Sequence, residues 1–292
     1  MRNGNIASYT TRWSGVLLLA GILGTGVVFA DDGDNGNNGC SGLPGFAALQ
    51  SALSKATKDE TSGLNNQMWA TIVDRDGVAC AVAFSGINRG AQWPGSRVIS
   101  AQKANTANAF SLDSSSFSNG SGQAAGLALS TANLFTAVQS GGSLFGLQFS
   151  NPVDPSVAYA GPSSHYGTAN DPMVGQKPGG VNVFGGGLAL YTTGKNIVGG
   201  VGVSGDTSCA DHDIAWRVRN YLGLDHLKGV GGVTGDANHP DNIIYDILTN
   251  PDGTGGTGQN PIGSGGVGQS PSGFGHPKCL NTADPTLLPA VQ

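Results

Sequence analysis

Charge is scarce in this sequence. Of its 292 residues, 14 are Lys or Arg and 19 are Asp or Glu, which leaves a formal net charge of -5. Phosphate recognition needs clustered basic side chains, so a nucleic-acid partner is not expected. Long apolar runs are nearly missing as well. The run "GVLLLAGILGTGVVFA" is shorter than the roughly 20 residues of a membrane-spanning helix. It follows Arg2 and Arg12 and ends at Val28-Phe29-Ala30, a small-residue cleavage pattern. That reads as an export signal cut near Ala30. The mature protein is then expected in the periplasm or outside the cell, with no membrane attachment. No cysteine directly follows the run, which argues against a lipid anchor.

Cysteine is limited to Cys40, Cys80, Cys209 and Cys279, and no C-x-x-C spacing occurs. Neither a zinc knuckle nor a thioredoxin-type pair is indicated. An even count in an exported chain points to disulfides, with three connectivities open. Chain ends and motif proximity favour Cys40–Cys279 with Cys80–Cys209. Also absent are an internal repeat, a G-x-x-x-x-G-K-[ST] phosphate loop, and the βαβ context of a dinucleotide fingerprint. The abundant glycines, 49 in all, are better explained as turn residues.

What is present describes one α+β domain. Residues 1–30 are the signal, 31–42 a flexible polar spacer, 43–246 the folded body and 247–292 a Gly/Pro-rich tail. Within the body, Pro44 to Thr57 reads as a helix, with Phe46, Leu49 and Leu53 at helical spacing. Two apolar runs around Asp76-Gly77 predict a β-hairpin. "PGSRVISAQKANTANAF" predicts a helix whose Ala101, Ala104 and Ala107 form a small-residue face able to lie close on a sheet. "GLALSTANLFTAVQSG" reads as another helix. Ser150 to Gly180, with five prolines, reads as an ordered loop. From Val181 the pattern predicts an antiparallel meander, then a last helix from "ADHDIAWRVRNYL". The expected architecture is an antiparallel sheet of about five strands flanked by helices.

The densest chemistry lies in "GGVGVSGDTSCADHDIAWRVRNYL". Ser204 sits in Gly202-Val203-Ser204-Gly205-Asp206, which lacks the last glycine of a nucleophile elbow. Ser208 and Asp211 match a capping box, and Arg217 lies one turn after Asp213. Adjacent helical residues diverge at about 100° per residue, so Asp211, His212 and Asp213 cannot chelate one ion together. His212, with Asp211 beside it, remains the acid/base or ligand candidate. His165 and Tyr166 share the long loop, a common place for binding residues.

Several separated stretches occur in a recognisable order. They are "WATIVDRDGVACAVAFSG", "SAQKANTANAF", "GGSLFGLQFSN", "KPGGVNVFGGGLALY" and "IVGGVGVSG" followed by "ADHDIA". This order resembles the GlcG/HbpS-type family of haem-binding or haem-degrading domains, over about Met68 to Leu222. The chain departs from it in the longer Ser150 to Lys177 loop, in both extended termini, and in Asn182, where the family's "PGGVP" ends in proline. The resemblance implies a compact α+β domain, a homo-oligomer, and non-covalent haem binding for storage, sensing or slow degradation. Residues of the haem-ligating type are His165, Tyr166, Met173, His212 and His239. Iron through His212 or His165 is the first expectation, with Tyr166 next. Lys103 and Arg97 would pair with the propionates, or else stand as solvated surface charges. Two other functions stay open: an enzyme on a small hydroxy acid or diol using His212 with Asp211, and a secreted structural or partner-binding module.

Overall fold

Trp69 to Phe84 folds as the expected hairpin. Strands β1 (Trp69–Asp74) and β2 (Ala79–Phe84) pair antiparallel, and Gly77 turns the chain with φ +81°. Asp74 Oδ1 accepts the N–H groups of Asp76 and Val78 and fixes the turn. The structure is a computed structural model that describes residues 39–113, 125–250 and 269–292, all within one unit, Asp34–Gln292. The export signal and most of the spacer lie outside the described residues.

β3 (Gly187–Thr192) and β4 (Asn196–Ser204) form the second hairpin, and β4 pairs with β1. The sheet order is β2-β1-β4-β3, antiparallel throughout, with four strands among the described residues rather than about five. The shortfall lies at Val181 to Phe184. There Asn182 N–H donates to Thr106 Oγ1, and no strand partner among the described residues takes up the segment.

Helices cover both faces. On one, α1 (Phe46–Asp59) and the C-terminal helix of the body pack over Ala70, Ile72, Ala81, Leu188, Val201 and Val203. α1 buries Leu49, Ala52, Leu53 and Ala56, the i, i+3, i+4, i+7 stripe of an amphipathic helix. On the other face lies α2 (Ser96–Phe110), with Thr71 Oγ1 and Ser100 Oγ 2.8 Å apart. It lies unusually close. A Cβ at Gly200 would come within 2.3 Å of the Ala104 carbonyl oxygen, and one at Gly202 within 2.0 Å of that of Ser100. Glycines on the sheet meet the small-residue face of the helix, so backbone touches backbone.

The helix expected at Gly126 to Gly141 is instead two 3-10 turns, Thr131–Leu134 and Thr136–Val138. Tertiary bonds compete with the helical ones. Ala128 N–H donates to Gly231 O, Thr131 Oγ1 bridges Phe184 O and Gly187 N, and Asn133 Nδ2 reaches Asn242 O. The long loop carries two one-turn helices, α3 (Leu147–Ser150) and α4 (Pro155–Ala158). The last helix is α5 (Ser208–Tyr221).

The end of the C-terminal segment is part of the folded body. Residues 251–268 lie outside the described residues, but 269–292 are sewn into the body. Leu288 and Val291 join the main core, Trp216 Nε1 donates to Pro289 O at 2.9 Å, and Gln292 N–H donates to Asp225 O. The disulfides are Cys40–Cys80 and Cys209–Cys279, not the pairing expected. Cys40 lies beside the first hairpin, and Cys209 in the first turn of α5 meets the returning C-terminal segment, with Cα atoms 5.4 and 5.9 Å apart in the two pairs. Among the described residues no helix is long and apolar enough to cross a membrane.

Candidate functional site

The stretch that begins α5 is built for structure. Thr207, not Ser208, caps the helix by accepting Ala210 N–H. Asp211 does not reach back to close a capping box with Ser208. Its Oδ1 accepts Asp206 N–H at 2.8 Å, and its Oδ2 takes Lys103 Nζ at 2.7 Å. Asp206 in turn accepts the N–H groups of Leu64, Asn66 and Thr207. Ser204 is buried at the end of β4, opposite Trp69.

The Asp211–Lys103 pair is buried on both sides, so Lys103 is no surface charge. Burial pushes both groups toward their neutral forms: Asp211 is raised to about 6, and Lys103 falls below its ordinary value. Arg97 is likewise buried. Its Nε donates to Asp171 Oδ2 at 2.8 Å, its second fork nitrogen to Oδ1, and Nη1 to Ala158 O. Neither cation is solvated, and each already has a carboxylate.

His212 is wholly buried. Its Nε2 lies 3.1 Å from Asn242 Oδ1 and accepts Ile243 N–H at 3.2 Å, while Nδ1 has no partner among the described residues. Burial lowers its pKa to about 3, so it is neutral. Asp211 faces α2 while His212 faces Asn242, so the two form no acid/base dyad. Asp213 is also buried, and Arg217 pairs with Glu60 at 2.8 Å and donates to the Asp213 carbonyl oxygen at 3.2 Å rather than to its carboxylate. Burial, reinforced by Glu60, pushes Asp213 up to about 8. Met173 is core, and His239 is held between Asp236 and Leu288 O.

Two clusters hold metal-type ligand atoms among the described residues: Cys209 with His276 and Cys279, and Cys40 with Asp74 and Cys80. Each contains a disulfide, so the thiolates are spent and one free ligand remains in each.

A cleft of about 390 Å³ opens where the N-terminus of α2 meets the long loop. Trp69, Tyr159, Tyr166 and Val98 supply aromatic and aliphatic walls, and Arg89, Gly95 and Arg97 line it too. Trp69 stacks on Phe84 with ring centroids 4.6 Å apart, and the Arg97 guanidinium lies 3.7 Å from the Tyr166 ring centre. The Tyr166 hydroxyl donates to Ala160 O at 3.1 Å, and His165 next to it is exposed. The Trp69 indole Nε1 is buried without a hydrogen-bond partner among the described residues.

Of the expected site residues, the cleft gathers Arg97 and Tyr166, with His165 adjacent in the chain. Lys103, Asp211 and His212 lie in the core instead and line none of the cleft. Sequence reasoning missed Trp69, Arg89 and Tyr159. A signal existed in "RGAQWPGSR": it leads into α2 with glycine at the cap and no acid in the first turn, an unanswered helix start.

The model of the family described as "Haem degrading protein HbpS-like" matches residues 46–219. Among solved structures, the chain is similar to a Klebsiella pneumoniae protein of the DUF336 family, at 23% identity and TM-score 0.37, over 61% of this chain and 88% of that one. It is similar to the protein of a PduOC:haem complex at 23% identity and TM-score 0.37, over 60% and 89%. HbpS itself gives 15% identity and TM-score 0.34, over 61% and 86%. No curated protein matches the chain. The family model spans more than half of the sequence and covers the sheet, α1, α2 and most of α5, so the chain belongs to the HbpS-like haem-degrading protein family.

Proposed function

We propose that this is an exported, non-covalent haem-binding protein, and that the cleft at the start of α2 is its porphyrin site. The observation that carries the proposal is the lining. Three aromatic side chains from distant parts of the family-matched segment, Trp69, Tyr159 and Tyr166, converge on one opening of about 390 Å³. Ligand sites are typically apolar and aromatic, of about 300–1,000 Å³, with a few polar groups. Flat aromatic walls suit the faces of a porphyrin, and a phenol and an imidazole, both iron-ligating types, stand at Tyr166 and His165. His212 is 0% exposed and does not line this cleft. When bound, haem would supply the redox chemistry of its iron; the chain's residues would hold and orient it.

Hemin titration of the mature chain tests this. Saturation near one hemin per chain with a shifted Soret band is expected. Tyr166→Phe or His165→Ala, whichever removes the ligand, should change that spectrum, whereas His212→Gln should not. A linear, unsaturable titration would sink the reading.

The proposal includes self-association. Phe145 and Phe149 stand 62% and 82% exposed within a few residues of each other, apolar area of the kind a second copy covers. Light scattering on the purified chain checks this, and a monomer mass at all concentrations contradicts it.

A further inference from the structure

The cluster around the second disulfide holds more chemistry than the bond uses. Cys209 Sγ, Cys279 Sγ and a ring nitrogen of His276 lie within 4.8 Å of one another. Thiolates and imidazole are the usual ligands of zinc, and two residues separate His276 from Cys279, the short interval of a chelating pair. His276 is buried, and a backbone bond sets its tautomer. Nδ1–H donates to Pro277 O at 2.7 Å, which leaves the lone pair on Nε2, a nitrogen without a partner among the described residues. Cys279 Sγ accepts Cys209 N–H at 3.2 Å in the first turn of α5, and Ser208 Oγ lies 3.5 Å from it. Donors at a helix start favour a thiolate over a thiol. Cys279 is half-buried and lines an opening of about 730 Å³ with Lys278 and Tyr245, a way in for a small ion. The other cysteine pair is less suited, because Asp74 Oδ1 is committed to the N–H groups of Asp76 and Val78 in the hairpin turn.

We propose that Cys209, His276 and Cys279, in their thiol form, are a three-ligand site for a divalent cation of the zinc class. The ion and the disulfide then compete for the same two sulfurs. Cysteines are made as thiols. The bond forms when an oxidant removes two electrons from the pair and two protons leave, and a dithiol reductant reverses it by exchange. Metal binding also releases the two protons but moves no electrons between atoms. Both thiolates and the imidazole donate to the ion, and a fourth position is left to water. Charge selects the ion. Two thiolates cancel a 2+ cation, so a neutral complex stands among Ala132, Ile243 and Tyr245, whereas a monovalent ion would leave a buried negative charge. None of the three ligands lines the cleft, so the inference does not rest on the haem reading.

The test uses the full mature chain, without an affinity tag and under argon. A water-soluble phosphine opens the disulfides and becomes the phosphine oxide, with water supplying the oxygen and the two thiol protons. Co2+ is the probe, because its thiolate complexes show charge-transfer bands and its tetrahedral complexes strong visible bands; Zn2+ then displaces it. The reduced chain should saturate at one Co2+ per chain, and the oxidised chain should give no such bands. His276→Ala should weaken binding about tenfold or more and shift the visible bands. Cys279→Ser should lower the charge-transfer intensity, whereas Cys40→Ser with Cys80→Ser should leave the titration unchanged. Bound Zn2+ should also slow reoxidation of Cys209 with Cys279 in air, read by thiol alkylation and mass spectrometry. No saturable cobalt spectrum, a spectrum indifferent to His276→Ala, or one lost with Cys40 and Cys80 overturns the inference. A reduced chain that unfolds and is not restored by Zn2+ overturns it too, and one that Zn2+ refolds supports it.

Discussion

At Lys103 and Asp211 an ion pair of 2.7 Å is closed off from water. Breaking a buried pair strands one charge, at a cost of about 3–5 kcal/mol, whereas replacing both partners by apolar groups is often far cheaper. Lys103→Met should therefore destabilise the fold by that amount in urea unfolding. The double change Lys103→Met with Asp211→Leu should recover much of it; equal losses would mean the pair is not coupled. Asp213 makes a second residue-scale prediction. Its folded pKa of about 8 stands above the ordinary aspartate value of 3.8, so the folded chain keeps a proton that the unfolded chain releases. Its contribution is full below about pH 4 and is lost as pH rises toward 8. Relative to Asp213→Asn, the wild type should lose up to about 1.4 kcal/mol per pH unit between pH 6.5 and 8. Parallel stability curves for the two proteins would contradict the assignment.

Among the elements, the contact between α2 and the sheet is the most exacting. A methyl at Gly202 would strike the Ser100 carbonyl, which belongs to the helix backbone and cannot rotate aside. Gly202→Ala should cost about 3 kcal/mol, the upper end of ordinary overpacking, or more. A thermal midpoint within a few degrees of wild type would show that the helix can step back. This contact was half legible in the sequence. The small-residue face of α2 and the Asp76-Gly77 hairpin follow from spacing and turn chemistry, which are local. The 3-10 turns at Thr131 to Val138 do not, because hydrogen bonds to Phe184, Gly187 and Asn242 come from residues more than fifty positions away. The same reason explains the site. Tyr166 is visible as a loop aromatic. Trp69 reads as a strand residue, however, and only the folded arrangement brings it to the cleft with Val98 of α2. Long basic side chains likewise read as surface groups until the fold supplies Asp171 and Asp211.

Taken as a whole, the molecule is held by two covalent clips at its margins. Cys40–Cys80 fastens the start of the body to the first hairpin, and Cys209–Cys279 fastens the returning C-terminal segment to α5, across 70 positions of sequence. Closing loops of this length stabilises by roughly 2–4 kcal/mol per bond. Replacing both Cys209 and Cys279 by Ser should lower stability by that amount and speed proteolysis after residue 268. An unchanged urea midpoint would contradict that role. The cleft lies between α2 and the long loop, and neither disulfide touches it. Ligand binding should therefore survive this change.

The central claim is that a porphyrin enters by the cleft and not by the core around His212. Titrating hemin into the wild type, Trp69→Phe with Arg89→Gln, and His212→Gln, with Soret spectra recorded at each step, tests it most directly. The account predicts saturable binding in the wild type and in His212→Gln with identical spectra, and affinity at least about tenfold weaker in the cleft variant. Undiminished binding in the cleft variant, or a spectrum lost with His212 alone, would contradict it.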